Sequence, residues 1–356
     1  MKVLAAMSGG VDSSVAAARM ANEGHEVIGI TLKLWEEPDG TAPTAGCCTL
    51  ADSEDARRVA AQLQIPYYVL DYTDQFRSGV VDHFVSEYAS GRTPNPCIEC
   101  NRVVKFDLLL DRASELGCEM VVTGHYARTR RTAAGIQLLR AVDTEKDQSY
   151  VLYMLGQEAL GRVRFPVGDL TKAETRAEAA RLELRTAEKR DSQDVCFVGR
   201  GNYRSFLRRH APTMTDPGLI VDIDGAVLGE HAGISNFTVG QRRGVGVALA
   251  EPRYVVELRP EDRQVVVGTK DSLLARGCRV SGFSWVSGSP PPFDDVEVKL
   301  RYRAHPQRAR LASLTGEGVA EIRFQEPQPA VTPGQAAVVY RGDRVLGGGT
   351  IDSAVR

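Results

Sequence analysis

Residues 3–14, Val-Leu-Ala-Ala-Met-Ser-Gly-Gly-Val-Asp-Ser-Ser, constrain this chain more than any other stretch. The apolar run at 3–7 reads as a short buried strand. It stops at Ser8-Gly9-Gly10, and from about Asp12 the pattern turns helical through Val15, Ala16, Ala17, Ala18 and Met20. A strand, a glycine turn and a helix start together make an anion site. Glycine lets the backbone turn sharply and bring N–H groups close to an oxyanion, and the helix N-terminus adds unpaired donors and the positive end of its dipole. Ser8, Ser13 and Ser14 add hydroxyls, and Asp12 could cap the helix or hold Mg²⁺.

A Gly-Gly pair alone would suit an ordinary tight turn. The full string Ser8-Gly9-Gly10-Val11-Asp12-Ser13-Ser14 goes further and resembles the pyrophosphate loop of the ATP pyrophosphatases. Enzymes of that kind split ATP between its α- and β-phosphates and pass AMP to a substrate oxygen. The lysine of a Walker loop is missing, which argues against a P-loop kinase or GTPase.

Strand and helix patterns alternate after this point. Strands are expected at 27–34, 67–70 and 120–123, and helices at 52–64, 75–89 and 106–116, with an irregular stretch at 91–100. Such alternation argues a parallel sheet with right-handed crossovers, whose ligands sit beyond the carboxyl ends of the strands. Ala6, Met7, Ser8, Gly9, Gly10, Val11, Asp12, Ser13, Leu32 and Gly124 are therefore the nucleotide-site candidates. Thr171-Lys172-Ala173-Glu174 is a capping box opening a helix to about Leu184. From about Pro217 the texture becomes short alternating arms, with turns at 222–225, 259–263 and 341–343. Three domains are expected: 1–200 α/β, 201–275 small and β-rich, and 276–356 a β-barrel.

A chain of 356 residues with 43% hydrophobic content can build more than one core. No run of ~18 apolar residues is present to cross a bilayer, and Met1-Lys2 leading into a strand is not read as a signal peptide. A cytoplasmic protein without a membrane partner is expected, so its seven cysteines point to chemistry or metal before structural disulfides. The net charge of −2 means that any RNA contact must come from local clusters such as Arg208-Arg209, Arg242-Arg243 and residues 301–310, each of which could also be plain solvated surface.

Cys97 and Cys100 form a Cys-x-x-Cys in Thr-Pro-Asn-Pro-Cys-Ile-Glu-Cys-Asn, residues 93–101, where two prolines stiffen the approach. Two thiols on a rigid loop suit redox exchange or metal ligation. Cys196 stands alone in Asp-Ser-Gln-Asp-Val-Cys-Phe, residues 191–197, and a lone cysteine is more often a buried filler than a nucleophile. Cys47, Cys48, Cys118 and Cys278 read as packing residues.

These two motifs occur in order with the pyrophosphate loop, Thr-Gly-His-Tyr-Ala-Arg at 123–128, Lys-Asp-Gln-Ser-Tyr at 146–150 and Phe-Thr-Val-Gly-Gln-Arg-Arg-Gly at 237–244. Together they resemble the bacterial tRNA-specific 2-thiouridylases over nearly the whole chain. The resemblance implies a Rossmann-like domain of the adenine nucleotide α-hydrolase type followed by two β-rich domains. It implies ATP and Mg²⁺ as cofactors, tRNA(Lys), tRNA(Glu) and tRNA(Gln) as partners, and a carrier protein that donates persulfide sulfur. It makes Cys100 the nucleophile and Cys196 the bearer of the persulfide. Adenylation of the wobble uridine O2 makes AMP a leaving group, sulfur replaces it at C2, and a Cys100–Cys196 disulfide results. The two thiols must then meet, with Cα atoms within ~7 Å when bridged. Being near the Cys100 nucleophile, Asn95, Pro96 and Cys97 would surround the flipped-out uridine. The resemblance implies that His125, Lys146, Asp147, Gln148, Arg301, Tyr302 and Gln335 contact tRNA.

Cys97 stands where the better-known form of the motif has aspartate. Cys97, Cys100 and Cys196 could instead hold three corners of a [4Fe–4S] cluster. Two other activities share part of these features. An ATP pyrophosphatase that adenylates a small metabolite for attack by ammonia has no use for Cys100 and Cys196. A tRNA- or nucleotide-binding protein without catalysis would not turn ATP into AMP.

Overall fold

The computed structural model describes residues 1–36, 49–190, 195–198, 203–211, 214, 216–247, 251–291, 295–314 and 318–356. Cys47, Cys48, residues 191–194 of the Cys196 motif and the expected domain junction at 200/201 lie outside these.

The N-terminal strands are β1 (Lys2–Ala6), β2 (Glu26–Lys33), β3 (Tyr67–Asp71), β4 (Met120–Val122), a hairpin β5 (Ala127–Thr132) and β6 (Gly135–Arg140), and β7 (Val163–Arg164). All but the hairpin form one parallel sheet in the order β3-β2-β1-β4-β7. Its central strands are apolar at nearly every position because both faces are covered. Val3 and Ala5 of β1 pack on one side with Val15 and Ala16 of the helix Val11–Asn22. Leu4 points to the other side, with Ile28, Ile30 and Leu32 of β2. β3 is an edge strand, and Tyr68 and Val69 are exposed there. The order reverses between β1 and β4, which opens a crevice at their carboxyl ends.

The expected helices are present with shifted ends. Leu50–Gln62 starts at a capping box formed by Thr49 and Asp52, and Lys172–Arg181 starts at the one predicted from Thr171 and Glu174. One expectation is corrected. Residues 91–100 are not irregular throughout, because a helix begins at Pro96 and continues through a more loosely wound π-helical segment, Cys100–Leu108, into Leu109–Glu115. Asn95 accepts a hydrogen bond from the Cys97 N–H, and proline at the first helical position has no N–H to leave unpaired. The residues read as loop stiffeners are a helix start.

The second unit is a four-stranded sheet, β8 (Gly218–Asp222), β9 (Val227–His231), β10 (Tyr254–Arg259) and β11 (Gln264–Gly268), in the order β10-β11-β8-β9. The third contains β12 (Leu274–Trp285), β13 (Asp295–Lys299), β14 (Gln307–Leu314), β15 (Ala320–Pro329), β16 (Ala336–Arg341) and β17 (Arg344–Val355). Its order is β12-β15-β14-β13-β16-β17, and β12 pairs back onto β17, so six antiparallel strands close into a barrel. The hairpin β5–β6 was not foreseen. It leaves the N-terminal unit and adds to the barrel through β6–β17, so one sheet joins two units.

Candidate active site

The turn after β1 is held by short-range bonds. Ser8 N–H donates to Ser13 Oγ at 3.1 Å, and Ser13 Oγ and Ser14 Oγ donate to the Gly10 carbonyl at 3.1 and 2.8 Å. Gly10 caps the helix Val11–Asn22 with no side chain over its first N–H groups, the arrangement that favours an anion there. Two glycines are sterically required. Gly9 has φ +71°, and a Cβ on it would lie 2.1 Å from the Asp52 carbonyl oxygen. One on Gly124 would lie 2.5 Å from Ser13 N.

A cavity of about 200 Å³ lies over the ends of β1, β2 and β4. Of the nucleotide-site candidates, Ala6, Met7, Ser8, Gly10, Asp12, Ser13, Leu32 and Gly124 line it. Gly9 backs onto Asp52, and Val11 is buried in the core. His125 and Gln148, expected to meet tRNA, line the same cavity. Sequence reasoning missed Ile30, Thr31, Leu34, Lys105 and Thr123. Lys105 carries no motif of its own and is aimed here by the helical segment that begins at Cys100.

Asp12 sits at the cavity wall with both oxygens on Lys172 Nζ, at 2.7 and 2.8 Å, and accepts from the Tyr126 hydroxyl at 2.9 Å. Among the described residues no three His, Cys, Asp or Glu side chains converge into a metal site. Cys97, Cys100 and Cys196 thus form no such group, and Asp12 is the one carboxylate in the lining of the cavity among the described residues, held there by Lys172. His125 is buried between Phe106 and Phe165 with Nδ1 2.8 Å from Thr123 Oγ1. Burial first, and the Lys105 ammonium second, push its pKa well below the usual imidazole value, so it is neutral at pH 7.

The thiols differ in setting. Cys97 is exposed in the first helical turn, Cys100 is buried, and Cys196 is half-buried in a turn at 196–198. Cys100 belongs to the large apolar cluster on one face of the parallel sheet, and Cys196 packs against that same cluster. Phe197, next to Cys196, lies 5.2 Å from Phe84, 5.8 Å from Phe76 and 6.1 Å from Trp35 between ring centroids. Trp35 follows Leu34 of the cavity lining, and the turn Pro96–Glu99 packs on Arg77–Val81, between Phe76 and Phe84. The two cysteines are on one side of the sheet. No disulfide links the described cysteines. Burial raises the Cys118 thiol pKa and pushes Cys278 up to about 12, as inert packing thiols require.

The remaining RNA candidates fall into three places. Gln148 Oε1 accepts from Tyr126 N–H at 2.9 Å, beside half-buried Lys146. Asp147 is buried, and its carboxylate accepts from Ala141 N–H, Ser149 N–H and Ser149 Oγ, which folds its own loop. Of the three barrel candidates, Gln335 and Tyr302 lie by the Cys97 helix, and Arg301 bonds within the barrel. Gln335 Nε2 donates to the Thr93 carbonyl at 2.7 Å, and Arg301 donates to the carbonyls of Pro329 and Ala330. Burial, then Asp147 and Cys97, push the Tyr302 hydroxyl up to about 12. Arg208, Arg209, Arg242 and Arg243 are exposed, the latter pair beside a separate polar cleft in the central unit.

Fold and cradle together define a Rossmann-like nucleotide-binding protein with a pyrophosphate-type loop at its switch point. Family models agree along the chain: residues 1–200 match one described as a tRNA methyl transferase HUP domain. Residues 204–269 match a tRNA methyl transferase PRC-barrel domain, and 275–351 an aminomethyltransferase β-barrel domain. A tRNA-specific 2-thiouridylase of Geobacter metallireducens is 49% identical over 359 residues, covering 99% of this chain and 97% of its own. Another, from Roseiflexus castenholzii, is 49% identical over 368 residues, covering 98% and 99%. A solved 4-thiouridine synthetase with RNA and bound ATP is 17% identical, with a TM-score of 0.38 over 59% of this chain and 50% of that one. The chain belongs to the tRNA-specific 2-thiouridylase family.

Proposed function

We propose that this protein is a tRNA-uridine 2-sulfurtransferase. It uses ATP to activate the wobble uridine of tRNA(Lys), tRNA(Glu) and tRNA(Gln) and replaces O2 with sulfur. The observation that supports the reading is a shared apolar cluster: Leu34 of the cavity lining, Trp35, Cys100 and Phe197 all belong to it, Cys196 packs against it, and the Trp35 and Phe197 rings lie 6.1 Å apart.

ATP lies in the cavity with its phosphates on the N–H groups of the Ser8–Ser13 turn, where Mg²⁺, when bound, would neutralise part of the phosphate charge. Uridine O2 attacks the α-phosphorus, pyrophosphate leaves, and the O2-adenylate forms. Neutral His125 and Gln148 border the cavity and offer hydrogen bonds to the base without adding charge. A carrier protein loads Cys196 with a sulfane sulfur. The terminal persulfide sulfur attacks C2, AMP departs with O2, and Cys100 thiolate attacks Cys196 Sγ. The S–S electron pair moves to the sulfur on C2, and a Cys100–Cys196 disulfide remains. An external dithiol supplies two electrons and two protons to reopen it.

The test incubates the protein with ATP, Mg²⁺, a persulfide source and unmodified tRNA(Glu). Mass spectrometry of the anticodon nucleosides is expected to find 2-thiouridine, with one AMP per sulfur. AMP without 2-thiouridine would overturn the sulfur-transfer reading. Binding of tRNA should weaken steeply with salt, because phosphate contacts release counterions.

A further inference from the structure

Lys189 is a cation that this mechanism leaves unused. Its ammonium carries three protons, and each has an acceptor: the Gly9 carbonyl at 2.9 Å, Asp52 Oδ1 at 2.7 Å and Asp55 Oδ2 at 2.7 Å. Burial pulls its pKa down, but the hydrogen bonds to Asp52 and Asp55 more than reverse this, so it stays protonated. The carbonyl it holds belongs to the peptide joining Gly9 to Gly10. No peptide in the described chain is cis, so the Gly10 N–H points away from that carbonyl. Gly10 lines the cavity and Gly9 does not. A Gly-Gly peptide can flip at small cost because neither residue has a Cβ. Flipped, it would turn a carbonyl oxygen toward the phosphates in place of a donor.

We propose that Lys189 is a positioning residue of the phosphate cradle: by holding the Gly9 carbonyl outward it aims the Gly10 N–H at the bound anion. It acts from outside the cavity and touches no phosphate. The inference rests on the nucleotide reading of the cradle.

The experiment titrates the full-length protein and its K189M, K189R and D55N variants with pyrophosphate and with a non-hydrolysable ATP analogue, each with Mg²⁺. Glycine is ¹⁵N-labelled so that the Gly10 amide can be followed. K189M should bind both probes at least about tenfold more weakly, the scale of one charge-assisted hydrogen bond. Its Gly10 resonance should lose the shift that pyrophosphate induces in the wild type. K189R should recover most of the affinity, since a guanidinium can donate to the same carbonyl. D55N keeps the Lys189–Gly9 bond and should bind nearly as the wild type does. K189M binding as tightly as wild type, or D55N losing as much as K189M, overturns this inference alone. A wild type that binds neither probe overturns it together with the functional reading.

Discussion

The phosphate cradle and the thiol pair are built in opposite ways. The hydrogen bonds among Ser8, Gly10, Ser13 and Ser14 run between residues five or fewer apart, within one strand–turn–helix unit, and distant Lys189, Lys172 and Tyr126 only add to that frame by bonding Gly9 and Asp12. Cys100 and Cys196 come from distant segments and share one large apolar cluster, to which the packed rings of Trp35, Phe76, Phe84 and Phe197 also belong. The cradle is a largely local object, with no room for a Cβ at Gly9 or Gly124. The thiol region is a tertiary object, with one cysteine in a helix and the other in a turn. On the proposed mechanism, activation of the substrate and delivery of sulfur should therefore be separable by mutation.

Four experiments bear on that contrast, the largest effect first. Replacing Cys100 or Cys196 by Ser should lower 2-thiouridine formation by at least ~10³-fold, as loss of a nucleophile does, while tRNA-dependent AMP release persists. If AMP release vanished as well, the two regions would not be separable. Gly124→Ala should act the other way round. Its Cβ would meet backbone at 2.5 Å, so nucleotide binding and AMP release should fail together, with a stability loss of about 1–3 kcal/mol in denaturant melts. Full nucleotide affinity in that variant would show that the β4 end does not close the cradle.

His125 sharpens the comparison through pH. Its folded pKa is depressed, so the unfolded chain takes up the proton first as pH falls. The stability it contributes is fully present above about pH 6.5 and is lost as pH falls toward the folded value, with a slope of at most about 1.4 kcal/mol per pH unit. His125→Phe, flanked by Phe106 and Phe165, should remove that slope from denaturation curves taken between pH 7 and 5. An unchanged slope would place the acid sensitivity elsewhere. The smallest effect is expected from Gln335→Ala, which removes the barrel's hydrogen bond to Thr93. About 1 kcal/mol of stability should go, and thiolation should fall more than AMP release because the Cys97–Cys100 helix loses its brace. Equal falls in both would put Gln335 with the cradle.

Much of the parallel sheet was legible because its signals are local. Continuous apolar strands, glycine exits and the Thr171–Glu174 capping box each lie within a few residues of one another. The helix at Pro96 was misread because Pro-x-Pro can stiffen a loop or start a helix. The Asn95 cap decides between them only once its side chain meets the Cys97 N–H. Lys105, Lys172 and Lys189 carried no signal, since nothing near them in the chain says what their ammonium groups reach. Asp147 sits in a motif read for RNA contact, yet its carboxylate spends its bonds on Ala141 and Ser149.

By itself the sequence determined an anion-binding turn after the first strand, the order of its α/β and β-rich parts, and which thiols stand in motifs. Those features depend on backbone preferences and periodicities that operate over a few residues. Only the tertiary structure decided that the β5–β6 hairpin joins the barrel, that Lys172 occupies Asp12, and that Cys100 and Cys196 share one apolar cluster. Those outcomes depend on which distant surfaces exclude water together, and the burial of apolar area carries no label of sequence distance.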